Sequence, residues 1–154
     1  MKYGGTLLIV DDMEKSKYFY ETILEQKILM DLGEHVSLEN GLSLQTNYEA
    51  MIGKSLNRKT AANNFQLYFE TDRIDDWERK LEAIEGVEFI HHPTEYPWGQ
   101  RSMRFYDFDK YIIEAAESME CVIRRFLSQG LAVEEVSKRT MYPVEFVEML
   151  VRSE

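Results

Sequence analysis

One order of elements runs twice along this chain, and that repeat constrains the fold more than any other feature. Residues 5–10, Gly-Thr-Leu-Leu-Ile-Val, form an unbroken apolar run that predicts a buried strand. Asp11 with Glu14, or Asp12 alone, then opens a helix. Met13, Phe19, Tyr20, Ile23 and Leu24 give it an apolar stripe, and it should end near Glu25. Three short strands follow, Lys27–Leu32, His35–Glu39 and Leu42–Thr46, divided by Gly33-Glu34 and the hairpin signal Asn40-Gly41. Residues 47–63 are polar and irregular, a connection or a short helix around Tyr48–Ile52. The order then returns. Phe65–Thr71 is a strand and Asp72 a helix cap. Ile74, Trp77, Leu81 and Ile84 share one helical face, stopped by Gly86. Val87–His92, Arg101–Tyr106 and Tyr111–Ala116 are strands. Segments 5–46 and 65–116 therefore each read βαβββ, a supersecondary unit of about 50 residues used twice. The fold class is α+β.

Residues 118–154 break the pattern. Val122, Ile123, Phe126 and Leu127 make one helical stripe, ended by Gly130. Val133 and Val136 sit in a second helix, and Pro143 opens a third that carries Phe146, Val147, Leu150 and Val151. The expected organisation is a domain over 1–117 and a helical C-terminal extension over 118–154.

Charge narrows the partners. The chain carries 18 Lys+Arg against 28 Asp+Glu, a formal net charge of -10, which repels nucleic acid and anionic lipid. The extension resembles a helix-turn-helix in outline, but its last helix carries Glu145 and Glu148 and no basic residue before Arg152. DNA binding needs the reverse. No apolar run approaches the roughly 18 residues of a membrane-spanning helix. The run Leu7–Val10 before Asp11 is too short for the core of a signal peptide. The single cysteine, Cys121, fits a reducing compartment and has no histidine at a spacing that would make it a nucleophile. The protein is expected in the cytoplasm, with neither nucleic acid nor membrane as partner.

Two motifs carry a resemblance. Val10-Asp11-Asp12, then Ser16-Lys17-Tyr18-Phe19-Tyr20 and Leu24, form the first. Pro97-Trp98-Gly99-Gln100-Arg101, then Phe105-Tyr106-Asp107-Phe108-Asp109-Lys110, then Ile113-Glu114, form the second. Together they resemble the opening and the close of the vicinal oxygen chelate superfamily, which includes glyoxalase I, bleomycin resistance proteins and extradiol dioxygenases. Phe108 and Lys110 stand where the family turn has Pro and Gly, so the turn type is expected to differ. The resemblance covers about residues 5–116. It implies that two βαβββ units form a curved, barrel-like mixed sheet with the site in its concavity. It also implies a homodimer, an expectation reinforced by the apolar stripe of the extension, which needs a surface to cover it.

In the family's enzymes two His and two carboxylates hold a divalent metal ion. Carried onto this chain, the first His position falls at about Gly5, the first carboxylate at Leu44 or Gln45, the second His near Asn64, and the last carboxylate at Glu114. Only Glu114 keeps a ligand type. No metal and no other cofactor is therefore expected; the alternative is a divalent metal ion held by unusual ligands.

Other side chains offer less chemistry. His91 and His92 are adjacent on a strand, so they point to opposite faces and cannot bind one ion together. His35 reads as structural. Trp98 offers a flat apolar face, and Arg101 and Arg104 offer anion clamps, against the plainer reading that Trp98 closes the barrel and the arginines pair with Asp107 or Asp109. Tyr48, Tyr96 and Tyr106 are candidate liners. The expected ligand site is bounded by Gln45, Asn64, Trp98, Arg101 and Glu114. The leading expectation is a small-molecule-binding protein of this superfamily that lacks the metal. One alternative is a lyase, isomerase or dioxygenase-type enzyme using Glu114 with a metal or as general base. Another is a regulatory or interaction module that docks through the helical extension.

Overall fold

A computed structural model describes residues 1–152. The chain divides into two compact units: Met1–Phe65 with Tyr106–Tyr111, and Gln66–Phe105 with the chain from Ile112 onward.

The first unit begins with β1 (Thr6–Ile9) and α1 (Met13–Lys17). Asp12, not Asp11, caps α1, its carboxylate accepting from the Lys15 amide at 3.1 Å. Past Lys17 the helix widens into a π-helical stretch, Tyr18–Ile23, closed by the Leu24 amide donating to Phe19 O. Phe19, Tyr20 and Ile23, part of the expected apolar stripe, are all buried along this stretch. Then come β2 (Ile28–Asp31), β3 (His35–Leu38), β4 (Leu42–Gln45) and the short α2 (Tyr48–Ile52). The sheet order is β1-β4-β3-β2, with β1 parallel to β4 and the rest antiparallel. Leu8, Val36 and Leu44 face the helix side and are buried; Leu7, Ile9, Ser43 and Gln45 share the opposite face.

The turn Tyr106–Tyr111 belongs to this unit, and hydrogen bonds tie it there. Tyr20 Oη donates to Asp107 Oδ2 at 2.7 Å, and Asp107 Oδ1 accepts from the amides of Asp109 and Tyr111. Asp109 accepts from the Asp11 amide and the Ser16 hydroxyl, and Tyr111 Oη donates to Ile9 O. Asp107 and Asp109 therefore pair with the first motif rather than with Arg101 or Arg104. Lys110 takes the left-handed conformation, φ 66°, that the family turn gives to Gly.

The second unit holds β5 (Gln66–Glu70), α3 (Ile74–Glu82), β6 (Glu88–Glu95), β7 (Arg101–Tyr106, its last residue in the turn) and β8 (Ile112–Ala116). Its order, β5-β8-β7-β6, repeats that of the first unit, with β5 parallel to β8. Each first strand pairs with the last strand of its own unit, so the described strands form two four-stranded mixed sheets, one for each expected βαβββ unit. Asp72 does not cap α3; it accepts the Ser118 hydroxyl at 2.8 Å, and Arg73 takes the cap position.

The extension forms α4 (Met119–Ser128), α5 (Val133–Thr140) and α6 (Val144–Arg152). Pro143 precedes α6 rather than starting it, its carbonyl accepting from the Phe146 and Val147 amides. Val122, Ile123, Phe126, Val136, Val147 and Leu150 bury one another in a core of their own. The apolar stripe is thus covered within the chain and does not require a second copy. Among the described residues no helix is long and apolar enough to cross a membrane.

Candidate functional site

Alternation along the second sheet decides which side chains meet. Leu67, Phe69, Ile113 and Ala115 occupy one face, while Gln66, Tyr68, Glu114 and Ala116 share the other, because parallel partners in register point the same way. On β7, Met103 and Phe105 are buried with the apolar set, and Ser102 and Arg104 alternate with them.

The polar face centres on Arg104 and Glu114. Arg104 Nη2 lies 2.8 Å from Glu114 Oε1, with the carboxylate 9% and the guanidinium 24% exposed. Gln66 Nε2 donates to the other carboxylate oxygen in a short hydrogen bond, and Gln66 Oε1 accepts from Arg104 Nε at 3.0 Å. Arg104 Nη1 donates to Tyr96 Oη at 2.7 Å and to His91 Nε2 at 3.0 Å. That contact leaves the imidazole proton on Nδ1, which donates to His92 O at 2.9 Å. A guanidinium clamped from four sides around a buried carboxylate is rigid and directional. Tyr96 also stacks on Trp98, ring centroids 4.8 Å apart, and Trp98 Nε1 donates to Gln100 Oε1. Trp98, Tyr96, Arg104 and Glu114 therefore form one connected row.

Of the five expected site residues, Trp98 and Glu114 belong to this row. Arg101 does not. It is three residues from Arg104 along a strand, so it points to the other face, where it pairs with Glu117 at 2.9 Å and Asp75 at 3.0 Å. Glu117, 2% exposed, also holds Arg125 of α4, so Arg101 braces the extension instead of facing ligand. Asn64 lies exposed, two residues before β5 begins; the β5 residue that meets Glu114 is Gln66. Gln45, in the first unit, is buried and spends its amide on His35 Nδ1, at 3.0 Å, and Thr46 O.

Register also relates the two units. Gln66 stands two residues before Tyr68, the parallel partner of Glu114; in the first unit the residue two before Ile9, the parallel partner of Gln45, is Leu7. Within the chain's own repeat, Leu7 therefore corresponds to Gln66 and Gln45 to Glu114. Gly5 precedes β1, where a Cβ would lie 2.3 Å from Gly41 O. Sequence reasoning missed Gln66 and His91. The alternation of Leu67 and Phe69 was the signal for Gln66, since it assigns residues 66, 68 and 70 to the other face. Among the described residues, the group whose His, Cys, Asp or Glu donors could meet on one ion is Glu78, Glu82 and His92, between α3 and β6 on the helix side.

A pair of βαβββ units with this strand order, a polar row on one sheet face and an aromatic turn at its end define a glyoxalase-type scaffold. The model of the glyoxalase-like domain matches residues 3–120, and the chain belongs to that family. A protein of unknown function from Agrobacterium tumefaciens str. C58 is 34% identical, with a TM-score of 0.68, over 77% of this chain and 94% of that one. Lactoylglutathione lyase from the same organism is 23% identical, TM-score 0.59, covering 76% and 93% of the two chains. The fosfomycin resistance protein FosX from Mesorhizobium loti is 16% identical, TM-score 0.56, covering 76% and 92%. At those two identities the likeness is one of fold. A search of curated proteins returns no match. The family match ends at residue 120, so α5, α6 and nearly all of α4 lie beyond it.

Proposed function

We propose that this protein binds a small molecule on the Arg104–Glu114 face of the second sheet and works without the metal ion of the family's enzymes. The observation that carries this reading is the guanidinium on Glu114. Glu114 is the one ligand type the chain keeps at the family's positions, and both of its oxygens are engaged, one by Arg104 and one by Gln66. A divalent ion on Glu114 would have to displace a fixed cation and would gain from the same sheet only the weak amide donor of Gln66. The general-base alternative is poorly served by the same arrangement, because a base needs an oxygen within reach of a substrate proton. Arg104 and Gln66 instead form a fixed polar platform that can orient oxygen-bearing groups of a ligand, with Trp98 at its end. The lone cysteine and the acidic surface support a cytoplasmic location. Exposed apolar residues on the edge strand β2 support a homodimer.

The test has two arms. Elemental analysis of protein purified without chelator should find no stoichiometric Zn, Ni, Mn or Fe; about one equivalent, lost in Glu114→Ala, overturns the metal-free reading. A thermal-shift screen over small metabolites and aromatic antibiotics should yield ligands whose affinity falls about tenfold or more in Arg104→Met. Ligands indifferent to that substitution would place binding elsewhere.

A further inference from the structure

The helical extension does more than pack beside the family domain. Where it meets the Trp98 turn it completes a cavity of about 450 Å³. Tyr68, Trp98 and Gln100 line it from the family domain, and Met119, Thr140, Met141 and Tyr142 line it from the extension. Building on the small-molecule reading above, we propose that this cavity is a subsite for a neutral, planar aromatic group, and that the extension exists in this chain to form half of it.

The polar atoms of the lining argue for that class of ligand. Trp98 Nε1 donates to Gln100 Oε1 at 3.1 Å. Gln100 Nε2 donates to Glu117 O at 2.8 Å and to Tyr68 Oη at 3.2 Å. Tyr68 Oη donates to Glu70 Oε1 at 3.0 Å, and Thr140 Oγ1 donates to Val136 O at 2.8 Å. These polar groups are engaged within the protein, so the Tyr142 hydroxyl is the main hydrogen-bonding group left to meet a guest. Partial burial and the Glu70 carboxylate push the Tyr68 phenol up to about 12, so it brings no charge to the wall near neutral pH. What remains is ring face, thioether and one phenol hydroxyl. Aromatic surface and methionine sulfur favour flat, polarisable partners over compact aliphatic ones. The volume lies within the usual range for small-molecule sites, about 300–1,000 Å³.

The wall is also held in place. Tyr96 stacks on the indole at an interplanar angle of 7°, which fixes the orientation of Trp98. Met141 sits at the end of α5 with φ 63°, in the tight turn between α5 and α6, and its side chain is 75% exposed. Tyr68 is 49% exposed. Apolar surface left in water on a fixed frame is what a stacking ligand would cover. Because Tyr68 is the strand partner of Glu114, the subsite adjoins the polar row, and one ligand could place a ring here and an oxygen-bearing group near Arg104.

The chain's two tryptophans, Trp77 and Trp98, make the test direct. In the full-length Trp77→Phe protein, Trp98 is the sole indole. Titration with the neutral fused-ring probe N-phenyl-1-naphthylamine should quench its emission saturably, with a dissociation constant of about 1–100 µM. In the same background Met141→Ser and Tyr142→Ser should each weaken probe binding about fivefold or more. Met141→Ser alters an exposed side chain, so its circular dichroism and unfolding midpoint should match the parent, and it remains decisive if Tyr142→Ser folds poorly. Absence of saturable quenching up to about 100 µM, or an affinity unchanged in Met141→Ser, overturns the subsite. Failure of the polar-face reading is read separately. No saturable probe binding, alongside screened ligands that respond to Arg104→Met, sinks the subsite alone, whereas probe binding sensitive to Met141→Ser with no ligand sensitive to Arg104→Met sinks the polar face alone.

Discussion

Arg104 shows how one side chain can carry both stability and specificity. Its guanidinium is the only cation on the largely buried Glu114 carboxylate among the described contacts. Arg104→Met should therefore cost about 1–3 kcal/mol in urea unfolding, less than for a fully buried pair because the guanidinium keeps some access to water. Adding Glu114→Gln should recover part of that loss, since the stranded charge goes with it. Asp107 predicts a second effect, of unusual sign. Burial above all, aided by the neighbouring Asp109 charge, raises its carboxyl to about 6 against an ordinary 3.8, although Tyr20 and two backbone amides hydrogen-bond to it. The folded state then holds the proton more tightly than the unfolded chain. Protonation through that range stabilises the fold, so stability should rise by about 2–3 kcal/mol as pH falls from about 7 to about 4. Urea midpoints across that window check the slope. Asp107→Asn should remove most of it, whereas a mutant that keeps the full slope would locate the titrating group elsewhere.

At the scale of elements, the motif glycine and the motif turn were legible in the sequence, but their reasons were not. Gly99 reads as turn punctuation. Its full role appears only against α4: at φ 89° an added Cβ would lie 2.2 Å from the Phe126 ring, and Arg125 Nη2 donates to Gly99 O at 2.6 Å. Gly99→Ala should cost about 2–4 kcal/mol, from left-handed strain plus displacement of Phe126, and calorimetry should show the lower melting temperature. Lys110 is the converse, a side chain in a conformation that favours glycine. Lys110→Gly relieves about 1–2 kcal/mol of left-handed strain and adds about 0.5–1 of unfolded-chain entropy, so it should stabilise by roughly 0.5–1 kcal/mol. Strand positions were readable because alternation and turn residues are local signals. The π-helical stretch Tyr18–Ile23 and the role of Asp72 were not, because the burial of Phe19, Tyr20 and Ile23 and the Ser118 hydroxyl impose them from outside the segment.

Across the whole molecule the sequence disclosed the architecture but mostly the wrong neighbours for its site residues. Glu114 and Trp98 were named from a motif, and the structure sets both in one row of contacts. Arg101 and Asn64 were misplaced because a strand's facing depends on a one-residue register that spacing alone does not fix, and Arg104 and Gln66 proved to be the partners of Glu114. The homodimer was expected partly because the extension's apolar stripe needed cover, and that ground has gone, since the stripe is buried within the chain. A different surface now carries the expectation. β2 is the edge strand of its sheet, and Leu29, Met30 and Leu32 on or just after it are 59%, 47% and 65% exposed. An apolar edge with unpaired backbone groups is costly to leave in water and is suited to pairing with its own copy around a twofold axis. Light scattering at about micromolar concentration should then report twice the 18.2 kDa chain mass. Leu29→Lys with Leu32→Lys places charge on that edge without touching the buried side of the sheet. It should return the protein to a monomer with an unchanged circular dichroism spectrum. A wild-type protein that runs only as a monomer would remove the dimer from the account, and a dimer indifferent to both lysines would move its interface away from β2.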